Sequence, residues 1–237
     1  MLSFILPAYN EELELPATIA AIRTATKDRQ CEVIVVDDAS TDLTARIGRD
    51  AGCEVISINR RQIAAARNAG ARAAKGDILF FVDADTRINE KHISGAVAAL
   101  EQGCSGGGAR VKIGGTVPLW ARISFKLFCA IYFAFNLGAG AFLFTARKNF
   151  DAVGGFDESL FIGEEVYLSI ALRKLGRFRI LREPIITSGR KLRMYSATEI
   201  LKQSFRVILL GPRVARSRKG LHIWYDGKRE TRSTSGP

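Results

Sequence analysis

The chain has 237 residues, 47% hydrophobic and 25% charged, which suits one large globular domain or a domain with an extension, long enough to bury a core. Its formal charge of +11, from 35 basic against 24 acidic residues, favours anionic partners, and the basic surplus is concentrated from Gly189 onward. Charge without a recognition module argues against nucleic acid, and four dispersed cysteines without a CxxC pair or a histidine cluster argue against a zinc site.

The first residues enter a strand at once, with no basic n-region, so no secretory signal is expected. Leu2 to Pro7 is a short apolar strand. PAYNEE follows, then a helical pattern from Leu13 to Thr26. CEVIVVD at 31–37 is a second buried strand. Behind it, Asp38 and Ser40 can turn the chain and Thr41 or Asp42 can cap the next helix. Cys53 to Ile58 is a third strand, and Arg61 to Lys75 an alanine-rich helix closed by Gly76. ILFFVDADT at 78–86 is a fourth buried strand ending in two aspartates. Strands alternating with helices predict βαβ units, a parallel sheet and right-handed crossovers. Ligand loops then collect at the strand C-termini, residues 7–12, 37–42 and 83–86.

A helix at 90–101 comes next, with His92 on its surface, followed by GCSGGGAR, which reads as a flexible glycine run. That run lacks the GxxxxGK(S/T) order of a P-loop, and no GxGxxG follows the first strand. Leu127 to Phe144 contains no charged residue, but Gly138 and Gly140 interrupt it. The pattern predicts an apolar helix over 119–136 and a strand over 139–145 rather than a membrane span. GGFDE at 154–158, a helix from Glu164 to Leu175, a strand at Phe178 to Leu181 and a basic region complete the chain. Cys31, Cys53, Cys104 and Cys129 read as buried reduced thiols of a cytosolic protein. The division expected is 1–185 as the main domain, 186–228 as a basic extension packing on or near the site, and 229–237 as a disordered end.

Side chains two apart on a strand share a face, so Asp83 and Asp85 can aim two carboxylates at one point, with Ala84 adding no bulk. Paired carboxylates are hard oxygen ligands suited to Mg²⁺ or Mn²⁺. An isolated DxD is as readily a cap and a loop residue, so the remaining motifs decide. Five of them occur in order: PAYNEE, VDDASTD, ARNAGARAAKGD with FVDADT, GGFDE, and GEEVYLSIALRKLG. Together they resemble the family 2 glycosyltransferases, with a GT-A fold and a mostly parallel central sheet. TSGRKLR at 187–193 and WYDG at 224–227 are similar to the tail of a bacterial subgroup.

The resemblance implies a nucleotide-diphosphate sugar as donor. Pro7, Ala8 and Glu11 would approach the nucleoside and ribose. Asp38 would accept from a pyrimidine N–H, with Asp37 bracing its loop. Arg67 would lie over the base or phosphates, and Asn68 and Gly70 would let that helix pack closely. Asp83 would touch the ribose or the metal, and Asp85 would ligate Mn²⁺ or Mg²⁺ directly. Arg190 and Lys191 are candidates to clamp the diphosphate. Relatives place a histidine ligand near here, whereas this chain has only His92 and His222, so the third ligand stays open. The base position reads Glu164-Glu165 where the family has Glu-Asp; spacing selects Glu165 and leaves Glu164 as the alternative.

The reaction implied is inverting, metal-dependent transfer to an acceptor hydroxyl. The alternatives are a membrane-associated enzyme with a polyprenyl-phosphate acceptor, or a noncatalytic nucleotide-sugar-binding relative. A nucleotidyltransferase would carry a glycine-rich basic loop where PAYNEE stands. Trp120, Arg122 and Lys126 begin the apolar 119–136 segment, and Arg213, Arg216, Arg218 and Lys219 follow the apolar 200–210 segment. Both can meet anionic lipid, or instead the core or a second subunit of a homodimer. A cytoplasmic protein, peripheral on the cytoplasmic membrane face and acting on a lipid-linked acceptor, is therefore expected.

Overall fold

The computed structural model describes residues 1–115, 118–196, 198, 199, 202 and 215–225. Strand β1 (Leu2–Ala8) lies between β2 (Cys31–Asp38) and β4 (Ile78–Val82), and β3 (Glu54–Ile58) flanks β2; these four strands are parallel. Helices α1 (Leu15–Ala25), α2 (Thr44–Asp50) and α3 (Ile63–Ala73) make the crossovers. The pleat sends Phe4, Leu6, Phe80 and Val82 into one core layer and Ile5, Ile34, Leu79 and Phe81 into the other. With both faces covered, the strands read as unbroken apolar runs. Gly70 lets α3 settle on the sheet, because a Cβ there would lie 2.4 Å from Ile5 Cγ2.

The sheet then changes character. β4 pairs antiparallel with β7 (Phe142–Ala146), and β7 antiparallel with β6 (Cys104–Gly114). β6 runs parallel to β8 (Arg177–Ser188), which pairs antiparallel with β5 (Thr86–Arg87). The order is β3-β2-β1-β4-β7-β6-β8-β5, so the sheet is parallel in its first half and mixed in its second. Helices α4 (Glu90–Glu101), α5 (Leu119–Ala134), α6 (Arg147–Ala152), α7 (Glu164–Leu175), α8 (Arg190–Met194) and α9 (His222–Tyr225) complete the described elements.

Several local expectations are corrected. After the turn at Gly103, GCSGGGAR is not a flexible run but part of β6, with Cys104 to Ala109 buried. A Cβ on Gly107 would lie 2.2 Å from the Arg179 carbonyl oxygen and 2.3 Å from Phe144 Cζ, so the glycines there admit a neighbouring strand and a large ring. Helix α3 stops at Ala73, and its cap residue Ala74 is extended rather than left-handed. Gly76 instead makes room for Met1 and Ser3, whose oxygens would lie 2.6 Å from a Cβ at that position. His92 is not on the surface: it is buried, caps α4 by accepting from the Asn89 backbone N–H at 3.0 Å, and stands edge-on to Phe142. Burial pushes its pKa down. Of the four thiols only Cys104 is buried; Cys31, Cys53 and Cys129 are half-buried. β8 extends well past Leu181, so residues 186–188 belong to the sheet. The 200–210 segment, save Lys202, and residues 226–237 lie outside the described residues.

Candidate active site

The C-terminal ends of β1, β2 and β4 open into one cleft of about 130 Å³, continuous with solvent. Pro7, Ala8, Glu11, Asp38, Asp83, Asp85 and Arg190 line it, together with Tyr9, Arg61, Gln62 and Tyr225. Its floor is stiffened by lacing between the loops after β1 and β2. Asn10, in the left-handed region at φ 52, donates its backbone N–H to Ser40 Oγ at 2.9 Å and accepts from Thr41 N at 2.8 Å. Thr44 Oγ1 accepts from Glu11 N at 2.7 Å, and Asp42 from Glu12 N at 3.1 Å. Asp37 accepts from Ser40 N at 3.3 Å.

Asp38 ends β2 facing the loop after β3. Its Oδ1 accepts from Arg60 N and Arg61 N, and its Oδ2 from Gln62 N, each at 2.7 Å. Its carboxylate thereby shapes the turn into α3. Arg61 adopts φ 49 in that turn, places its guanidinium 3.3 Å from the Tyr9 ring centroid and donates to the Tyr225 carbonyl at 3.2 Å. Tyr9, Arg61 and Tyr225 escaped the sequence reading. PAYNEE and WYDG contained the two tyrosines, but only the fold shows that both motifs meet at Arg61.

On the opposite wall, both terminal nitrogens of Arg190 donate to the buried Glu11 carboxylate, one of them at 2.7 Å. The same guanidinium reaches Asp85 Oδ2 at 3.3 Å. Burial opposes its charge, but Glu11 and Asp85 outweigh burial and push its pKa up. Lys191 lies in α8, and its side chain is outside those described.

Arg67 sits behind the cleft, 2% exposed. It donates to Glu164 Oε1 at 2.7 Å, to Asp83 Oδ1 at 2.9 Å and to the Gly140 carbonyl at 2.9 Å. Burial works against its charge, but Asp83, Glu164 and Glu165 more than offset it and raise its pKa. Asn68 ties the GGFDE turn to α3, donating to the Phe156 carbonyl and accepting from Phe156 N, both at 2.9 Å. Gly163, at φ 78, turns the chain into α7, whose first turn carries Glu164 and Glu165. Acidic side chains suit a helix N-terminus. Glu164 is buried in its pair with Arg67, whereas Glu165 is half-buried. Burial first, and then the neighbouring Glu164, push the Glu165 carboxyl up to about 8, with Arg67 pulling the other way. Neither glutamate lines the cleft.

Among the described residues no three His, Cys, Asp or Glu side chains converge as a metal cage. Asp83 and Asp85 nonetheless fit a hard divalent cation. Both residues line the cleft, with side-chain exposures of 37% and 16%; Asp83 Oδ1 accepts from Arg67, and Asp85 Oδ1 from Thr187 Oγ1 at 3.3 Å.

Residues 3–156 match the model of glycosyl transferase family 2. The chain belongs to that family. The match takes in the cleft-lining residues of β1, β2 and β4, and ends before Glu164, Glu165 and Arg190. Over 113 residues the chain is 34% identical to an undecaprenyl-phosphate 4-deoxy-4-formamido-L-arabinose transferase of Aeromonas hydrophila subsp. hydrophila, a match covering 44% of this chain and 34% of that one. The chain thus spans about a third of the length of that relative. Its fold is similar to a mannosyltransferase of Pyrobaculum calidifontis solved with GDP-Man and Mn²⁺ (TM-score 0.67, 20% identity, 95% of this chain and 67% of that one). It is also similar to glucosyl-3-phosphoglycerate synthase of Mycobacterium tuberculosis, solved with Mn²⁺, UDP and phosphoglyceric acid (TM-score 0.63, 21% identity, 89% and 78%). The architecture is that of the GT-A glycosyltransferases.

Proposed function

We propose that this family 2 chain transfers a sugar from a nucleotide-diphosphate donor to an acceptor hydroxyl with inversion at the anomeric carbon. The observation that supports this reading best is the meeting of Glu11, Asp38, Asp83, Asp85 and Arg190 in one cleft at the strand ends. That is where an α/β sheet receives ligands. The nucleoside lies along Pro7, Ala8 and Tyr9, with Glu11 and Asp83 toward the ribose. Asp85, with Asp83, would hold Mn²⁺ or Mg²⁺, which when bound neutralises charge on the diphosphate as the sugar departs. Arg190 supplies fixed positive charge on the same side, and such preorganised electrostatic help is often the largest catalytic contribution.

Glu165, in the first turn of α7 and beyond the cleft lining, would take the proton of an acceptor approaching from that side. Glu164 is already committed to Arg67, and a carboxyl with pKa about 8 is a far stronger base than an ordinary one. Titration of uridine and guanosine diphosphates by calorimetry, with and without Mn²⁺, tests the donor half. Metal-dependent binding that Asp85→Ala abolishes is expected, and equal affinity in both proteins overturns it. The name of the Aeromonas relative favours a second reading, in which the acceptor is a polyprenyl phosphate. A phosphate is already anionic and needs no base, so full activity in Glu165→Gln selects that reading.

A further inference from the structure

Helix α5 presents an unusual surface. Leu119, Ile123, Leu127, Ile131 and Phe135, each four residues from the next, are 70%, 60%, 62%, 54% and 65% exposed, and Phe128 beside them is 53% exposed. Four-residue spacing makes them one slowly winding stripe. The opposite side holds the helix to the protein through half-buried Phe125, Cys129, Tyr132 and Phe133. Tyr132 Oη donates to the Gly138 carbonyl at 2.9 Å, and Asn136 to the Phe178 carbonyl at 2.8 Å. An apolar area of this extent on a soluble surface marks an interaction site.

Its charge identifies the partner. No acidic residue occurs between Glu101 and Asp151, whereas Arg122 and Lys126 stand exposed on α5 itself. Arg173 of α7 donates to the Phe135 carbonyl at 3.1 Å and adds a third cation at the C-terminal end of the stripe. A two-fold contact between α5 helices would bring together two surfaces that each carry Arg122 and Lys126 and no acidic residue on the helix to compensate. We propose that this face of α5 docks the protein on the surface of an anionic lipid bilayer. A helix of 16 residues is about 24 Å long, short of a membrane span, and among the described residues no helix is long and apolar enough to cross one. The helix therefore lies in the plane of the interface, stripe down, with its cations at the head groups. The segment after it packs on α7, Ser169 Oγ accepting from Gly138 N at 3.0 Å, so the docked face adjoins the helix whose first turn bears Glu164 and Glu165.

Flotation of the full chain with phosphatidylcholine vesicles, with and without phosphatidylglycerol, tests this without nucleotide or acceptor, and so independently of the transfer reaction. Wild type is expected to float with the anionic vesicles and to be released several-fold by high salt. Ile123→Asn/Leu127→Asn/Ile131→Asn should lower the bound fraction about tenfold with an unchanged circular dichroism spectrum and melting temperature, since these side chains are exposed. Arg122→Glu/Lys126→Glu should weaken binding to the anionic vesicles only. A wild type that ignores vesicles at low salt overturns the proposal. So does a triple variant that floats as well as wild type, which would assign binding to the basic C-terminal region. A dimer that the triple variant breaks, in the absence of flotation, assigns the face to a second copy instead.

Discussion

Around β1, β2 and β4, polar side chains reach the cleft already paired: Asp38 with three backbone N–H groups, Glu11 with Arg190, Asp83 with Arg67. On the other half of the sheet, α5 leaves a long apolar stripe uncovered, and α7 holds in Glu165 a carboxyl whose ionisation its surroundings oppose. The parallel half resembles a preset mould, with little left to reorganise when a charged ligand arrives. The mixed half keeps a carboxyl whose ionisation is opposed and an apolar stripe left exposed, the two features on which the proposed base and the proposed lipid contact rest. On the proposed function, the donor would lie against the first half and the acceptor against the second.

The largest effect should come from removing the carboxyl whose ionisation is opposed. Glu165→Gln is expected to lower turnover by about 100- to 10,000-fold while nucleotide affinity stays the same, measured by steady-state kinetics and calorimetry. The pH profile sharpens this. With its pKa near 8, Glu165 gains its basic form as pH rises, so kcat/KM should climb about tenfold per unit below that value and level off above it. Stability runs the opposite way. The unfolded carboxyl ionises near 4.5 while the folded one keeps its proton to about 8, so the native state binds more protons in that window and loses stability as pH rises through it. Urea titrations should show the fall in wild type and a smaller one in Glu165→Gln.

Next in size is the pairing that joins the halves. Arg67→Met leaves Glu164 buried without its cation and should cost about 3–5 kcal/mol in urea unfolding. A loss below about 1 kcal/mol, the range of an exposed pair, would mean that the site is far wetter than its geometry. Gly107→Ala tests the packing of the mixed half: its methyl meets the Arg179 carbonyl and the Phe144 ring, and about 1–3 kcal/mol of destabilisation is expected. A neutral result would show that β6 can slide. Smallest is Arg61→Ala, which removes the cation over Tyr9 and should cost about 0.5–1 kcal/mol, read as a small drop in melting temperature.

The strands of the parallel half and helix α7 were legible because their signals are local. Unbroken apolar runs with turn residues behind them mark β1, β2 and β4, and GEE before an amphipathic run marks the start of α7, which spans Glu164 to Leu175 as read. Strand ends located the ligand loops, and the family resemblance then named Pro7, Ala8, Glu11, Asp38, Asp83 and Asp85, which stand at or just after the ends of β1, β2 and β4 and line the cleft. The glycine run was misread because a glycine required by a close neighbour looks the same in sequence as one that frees a loop. Only the position of Phe144 and Arg179 separates the two cases. His92 went to the wrong side because its contact with Phe142 depends on where α4 lands on the sheet. Arg67 with Glu164 and Arg190 with Glu11 are pairs 97 and 179 residues apart. The sequence by itself determined which residue types stand at the strand ends, since period and turn chemistry act within a few residues. The tertiary structure alone decided which charges neutralise one another and which carboxyl keeps its proton, since burial and ion pairing depend on distances that exist only once remote segments have packed together.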